Sequence, residues 1–134
     1  MAAHTIVNLE QVQDSAPKFG MPAELQARFA TEALQMEQGG VGFERLGPNF
    51  RVPFGHRHQR QEEVYVVVGG GGRIKLDDEI VELSRWDAIR VEPQVTRCLE
   101  AGPDGLEVVV FGAPNTGGEP GQQDGELEPG WWSD

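Results

Sequence analysis

The sequence predicts an all-β domain, a sandwich or small barrel. Two observations carry this: short alternating runs rich in valine and isoleucine, and turn signals between them at roughly eight- to twelve-residue spacing. At 134 residues the chain fits one domain, with length enough to bury a core. Its 22 acidic residues against 11 basic ones give a net charge of -11, which repels phosphate backbones and anionic membranes, so neither nucleic acid nor a membrane is an expected partner. No apolar run approaches the roughly 18 residues of a membrane span, and "MAAHTIVNLE" lacks the basic and apolar regions of a signal peptide, so a cytoplasmic protein is expected. Cys98, the single cysteine, has no partner for an internal disulfide, in keeping with a reducing compartment.

Taken in order, residues 3–9 read as a short edge strand. Residues 14–34, "DSAPKFGMPAELQARFATEAL", mix turn residues with a weakly amphipathic segment. Leu25, Phe29 and Ala30 suit one helical face, yet no cap is defined, so helix and strand both stay open there. From Val41 the alternation is regular: "VGFERL" is a strand, "GPNF" a turn, and "RVPFGHRH" leads into the next strand. The four glycines at 69–72 read as a turn with a bulge, because no helix and no lysine with serine or threonine follows, as a phosphate loop requires. "RIKLDDEIVEL" reads as a tight hairpin around Asp77 and Asp78. "AIRV" and "LEVVVFG" supply two more strands, with "AGPDG" as a turn before the second.

These elements divide the chain into an N-terminal strand and irregular arm (1–40), a barrel core (41–112) and a C-terminal tail (113–134). The tail holds five glycines, three prolines and five acids but no lysine or arginine, and so reads as solvated. Trp131 and Trp132 do not fit that description; one or both are expected to dock on the barrel or on a partner chain.

The chemistry concentrates in "FGHRHQRQEEVYVVVGG", residues 54–70. On an extended strand His56 and His58 point the same way and Arg57 the other. Glu63, Tyr65 and Val67 then share one face of the following strand, and Val64, Val66 and Val68 the opposite one. Apart from Glu63 neither face is charged, so the strand is covered on both sides and Glu63 looks inward, where a carboxylate needs a counter-charge, a metal or a proton. Two imidazoles and one carboxylate with positions left open suit Fe(II), and also Mn, Co, Ni or Zn. A satisfied histidine pair at a strand end, with Glu63 hydrogen-bonded to one ring, fits the same spacing. Tyr65 reads as a barrel-lining aromatic able to donate a hydrogen bond to a ligand. Cys98, and Met21, Met36, Phe43, Phe50 and Phe54, read as packing or pocket lining. No nucleophile stands at a recognisable spacing from a base.

These residues resemble a family, the cupins, whose first motif is G-x5-H-x-H-x3,4-E-x6-G. His56, His58, Glu63 and Gly70 fall on it, while Phe50 takes the leading glycine position. The second motif, G-x5-P-x-G-x2-H-x3-N, is worn: its signature positions hold Trp86, Glu92, Gln94, Arg97 and Ala101. The resemblance covers roughly residues 41–112. It implies an antiparallel double-stranded β-helix (jelly roll), commonly a homodimer, that binds a small anionic or oxygen-rich molecule in the barrel. His56, His58 and Glu63 would hold a divalent metal (Fe, Mn, Ni or Zn), and oxygenase- or isomerase-type chemistry would follow if the protein is catalytic.

The departure at Arg97 matters most, since arginine stays protonated and cannot ligate. By strand parity Arg97 and Leu99 face the interior where the fourth ligand would stand. At an effective dielectric of about 20, two like unit charges ~4 Å apart repel by ~4 kcal/mol. Two arrangements follow. Arg97 clamps an anionic ligand at the barrel mouth beside Tyr65, above a three-ligand metal, or it pairs with Glu63 in a metal-free, non-catalytic barrel.

Overall fold

A computed structural model of the chain describes residues 3–114 and 124–134. Eight strands follow in order: β1 (Leu25–Phe29), β2 (Gly40–Leu46), β3 (Phe54–His58), β4 (Glu63–Leu76), β5 (Glu79–Leu83), β6 (Ala88–Val91), β7 (Arg97–Gly112) and β8 (Gly125–Pro129). All pairings are antiparallel. The long strands β4 and β7 pair twice, Glu63–Gly70 with Leu106–Gly112 and then Gly72–Leu76 with Arg97–Ala101. Each therefore belongs to two sheets that curl over one another. The first runs β1-β2-β7-β4-β6 and the second β5-β4-β7-β3-β8.

Glycine makes the double use possible. The register slips where β4 passes Val67–Gly72, and Gly70 and Gly105 face each other at φ 63° and 80°, in the left-handed region that side chains rarely enter. A Cβ on Gly70 would collide with the Gly105 carbonyl, and one on Gly72 with the carbonyl of Glu100. The four-glycine run is thus a bulge without the chain reversal read from sequence, and "AGPDG" likewise stays inside β7. The hairpin at Asp77 and Asp78 forms as expected, with Leu76 opposite Glu79. Asp77 takes the positive φ (51°) that the turn needs and accepts a bond from the Thr96 N–H at 3.0 Å, which pins the hairpin to the start of β7.

The termini depart further from the sequence reading. Residues 3–8 form no strand; short 3-10 turns at Leu9–Gln11 and Ala16–Phe19 lay the arm beside β1, where Glu10 reaches Arg45 and the Val12 carbonyl accepts from Arg28. The undecided segment is strand over Leu25–Phe29, because its partner β2 offers an edge and Leu25 and Ala27 alternate into the core. At the other end, Gly125–Pro129 is the strand β8 along the edge of β3 where solvated chain was expected. Residues 115–123 of that expected tail lie outside the described residues. Trp132 is buried beneath the Arg51 guanidinium, 4.2 Å from its ring, and Lys75 lies 4.6 Å from the ring of Trp131. Met36, expected in core or pocket, is exposed before β2.

Inward residues set the character of the interior. Along β4 they run Glu63, Tyr65, Val67 and, beyond the bend, Ile74; along β7 they run Arg97, Leu99, Ala101 and then Leu106 and Val108. Leu46, Leu83 and Val91 complete an aliphatic core. One end of the interior is dry and the other carries the histidines.

Candidate metal centre

Strand alternation brings His56 and His58 from β3, Glu63 and Tyr65 from β4, and Arg97 from β7 to one place between the sheets. His56 and Arg97 are direct partners across the β3–β7 ladder. His56, His58 and Glu63 each offer a ligand atom within 4.8 Å of the others. Their contacts converge on one oxygen. Glu63 Oε1 lies 3.5 Å from His56 Nε2, 3.3 Å from His58 Nε2 and 3.6 Å from Arg97 Nη2, and it accepts the Tyr65 hydroxyl at 3.0 Å.

The protonation states suit ligation. Burial would raise the Glu63 carboxyl, but its contacts with His56 and His58 outweigh that and hold it well below the usual carboxylate range. Burial also lowers the imidazolium pKa of His56, only partly offset by Glu63, so its ring is neutral at neutral pH. Burial and the Glu63 charge push Tyr65 well above its ordinary value, which keeps the phenol a donor. Both ring nitrogens of His58 are buried without a hydrogen-bond partner among the described residues.

Two neighbours of this centre were not singled out in the sequence. Asp124 Oδ2 stands 3.4 Å from His58 Nδ1, on the far side of the ring from Glu63. Backbone N–H groups of Gln61 and Arg60 bond this carboxylate at 3.0 and 3.1 Å, and although burial opposes it, they lower the Asp124 pKa. A carboxylate behind a ligating histidine orients the ring. Asp124 lies within the segment read as solvated tail and has no motif, so nothing in the sequence pointed to it. Glu44 is the other. It pairs with Ala27 and Val108, both buried, and shares its face of β2 with buried Leu46. Its parity in "VGFERL" was the available signal.

Arg97 is 1% exposed and donates to the carbonyls of Pro93 (3.3 Å) and Glu92 (3.4 Å), so it is part of the barrel wall beside Glu63 and not a group at the mouth. Cys98, on the opposite side of β7, is buried; its thiol points to the Val52 carbonyl and burial pushes its pKa up to about 12, in keeping with packing.

No protein-family model and no curated protein sequence matches the chain. Solved structures do. A cupin protein from Bacteroides fragilis is 22% identical, with 92% of this chain and 95% of that one covered and a TM-score of 0.70. A salicylate 1,2-dioxygenase from Pseudaminobacter salicylatoxidans is 19% identical over 72% of this chain and 29% of its own (TM-score 0.61). An oxalate decarboxylase variant from Bacillus subtilis is 15% identical over 88% of this chain and 31% of its own (TM-score 0.71). With two sheets sharing β4 and β7, the chain has the double-stranded β-helix fold of these structures, and a His-His-Glu cluster stands between its sheets.

Proposed function

We propose that the protein holds a divalent metal ion through His56, His58 and Glu63 and binds a small, anionic or oxygen-rich molecule beside it. The observation that carries this is the buried His58 ring, whose Nε2 faces Glu63 at 3.3 Å and whose Nδ1 faces Asp124 at 3.4 Å, neither in hydrogen-bond geometry. Two imidazoles and a carboxylate suit Fe(II), Mn, Ni or Zn. When bound, such an ion supplies Lewis-acid polarisation of a ligand oxygen or, for a redox metal, oxygen activation. The chain's own residues do the rest. Tyr65 fixes Glu63 by its hydrogen bond, Asp124 aligns His58, and Arg97 lends Glu63 a permanent positive neighbour that an anionic ligand also senses.

Metal content per chain, measured by plasma mass spectrometry on protein purified without chelator or nickel resin and then offered Fe(II), Mn(II), Ni(II) and Zn(II), tests the reading. Near-stoichiometric metal that is lost in His58→Ala is expected; no metal under any condition overturns it. Oxygen uptake with salicylate and gentisate, and carbon dioxide release from oxalate, follow on the loaded protein, since structural neighbours carry those names.

A second reading is favoured by the 3.6 Å approach of the wholly buried Arg97 to Glu63, which leaves this ion pair in place of the metal in a binding or structural barrel. Glu63→Gln separates the two. Breaking a buried pair costs about 3 to 5 kcal/mol, so an unchanged melting temperature counts against the ion-pair reading. We also propose a homodimer, supported by the partly exposed outward valines Val64, Val66 and Val68; a single-chain mass in analytical ultracentrifugation would refute it.

A further inference from the structure

The centre meets solvent at His56, and an apolar side chain stands there. On the β3–β8 ladder Arg57 bonds Glu126 at 3.0 Å and approaches Glu128 at 3.8 Å, so these three side chains share the outer face. By alternation Leu127, between the two glutamates, is on the inner face with its ladder partner His56. Leu127 is nevertheless 63% exposed. The His56 side chain is 27% exposed, against 13% for His58, 12% for Glu63 and 1% for Arg97.

The first sheet supplies a second apolar residue on the same side. There β2 and β1 lie beyond β7, as β3 and β8 do in the other sheet. Phe29 ends β1; its ring lies over Gly42, where a Cβ would stand 3.3 Å from the Phe29 Cδ1, and it stays more than half exposed. Gly42 pairs with Val110, and Val110 with Tyr65. The Tyr65 hydroxyl, 3.5 Å from His56 Nε2, joins this row to the row of Leu127. Phe29 and Leu127 thus end the two rows that meet at the centre. A molecule reaching His56 from solvent finds a cation, Arg97, at the inner end of its path and hydrocarbon at the outer end. A second charged group on that molecule would lose water there without gaining a partner.

We propose that the ligand of this site is a small monocarboxylic acid with an apolar body, its carboxylate toward His56, His58 and Glu63 and its body selected by Leu127 and Phe29. This rests on the metal-bound reading above, in which the ion and Arg97 receive the carboxylate; selection by Leu127 and Phe29 is what is added to it.

Isothermal titration of the Zn(II)-loaded full chain with acetate, benzoate and terephthalate is the test. All three carry the same carboxylate; benzoate adds an apolar ring, and terephthalate puts a second charge at the far end of that ring. Benzoate is expected to bind at least about tenfold more tightly than either of the others. Leu127→Ser, a change at an exposed position of an edge strand, is expected to bring benzoate within about threefold of acetate, Phe29→Ser to do the same, and Leu127→Met to keep the preference. Equal affinity for acetate and benzoate overturns the assignment, as does terephthalate binding as tightly as benzoate, or a preference that survives both serine variants. Zn(II) content separates this from the metal reading. Zn(II) bound without a benzoate preference ends this assignment and leaves the metal in place. If the chain takes up no Zn(II), the metal reading fails; a benzoate preference lost in Leu127→Ser then keeps selection by Leu127 with Arg97 as the cation, and no preference ends both.

Discussion

Arg97 and Glu44 are opposite charges in one interior, and each has a measurable signature. Arg97 occupies the position of the second-motif histidine and lies beside the His56 backbone. Replacing the cation by a ligand removes a repulsion and adds a donor, so Arg97→His is expected to raise Zn(II) affinity at least about tenfold, or ~1.4 kcal/mol. Competition against a chelating dye measures it. Glu44 works on stability. Its folded pKa, about 7, exceeds its ordinary value of 4.5. Below the lower value both states hold the proton and nothing is lost; as pH rises through the window the unfolded chain releases it first, and stability falls. Glu44→Gln is therefore expected to match the parent near pH ~4 and exceed it near pH ~8, by at most about 3 kcal/mol, in urea melts. Glu63 runs the other way. Its lowered pKa contributes stability above the unfolded value that disappears as pH falls, and His56, also lowered, loses stability in the same direction below about 6.5.

At the scale of elements, the bend in β4 and β7 decides whether the two sheets form. Gly70 has a positive φ and its missing side chain leaves room for the Gly105 carbonyl. Gly70→Ala must shift a backbone, not a flexible side chain, and is expected to cost roughly 3 kcal/mol by chemical denaturation. This bend also marks the limit of what the sequence made legible. The faces of β3 and β4 were readable because alternation is local: His56, His58, Glu63 and Tyr65 come together as strand parity requires. The glycine run and "AGPDG" were misread as turns because local chemistry cannot say that two glycine stretches, some thirty residues apart, will meet as paired bulges. Glu44 was readable from its parity with Leu46 and went unread. Asp124 was not, since the contact that gives it a role spans 66 residues to His58 and no pattern joins them.

Across the whole molecule, the C-terminal strand ties distant parts of the chain to the histidine strand. β8 pairs with β3, and Arg51 meets Glu100, Asp134 and the face of Trp132 at once. Trp132→Ala is expected to cost about 3 kcal/mol and, by loosening β8 beside Asp124, to weaken metal binding without touching a ligand. Denaturation and metal titration of the same variant check both halves.

The oxygen Glu63 Oε1 draws contacts from β3, β4 and β7 together. In genetic language it makes His56, His58, Tyr65 and Arg97 epistatic to position 63. Once Glu63 is gone, a second change at His56, His58 or Tyr65 removes little that is still there, so those double variants resemble the single one, whereas a change at Arg97 removes a buried cation left without its carboxylate and recovers stability. Variation at these positions is then constrained jointly, and an exchange at Arg97 is tolerated or rejected according to what position 63 holds.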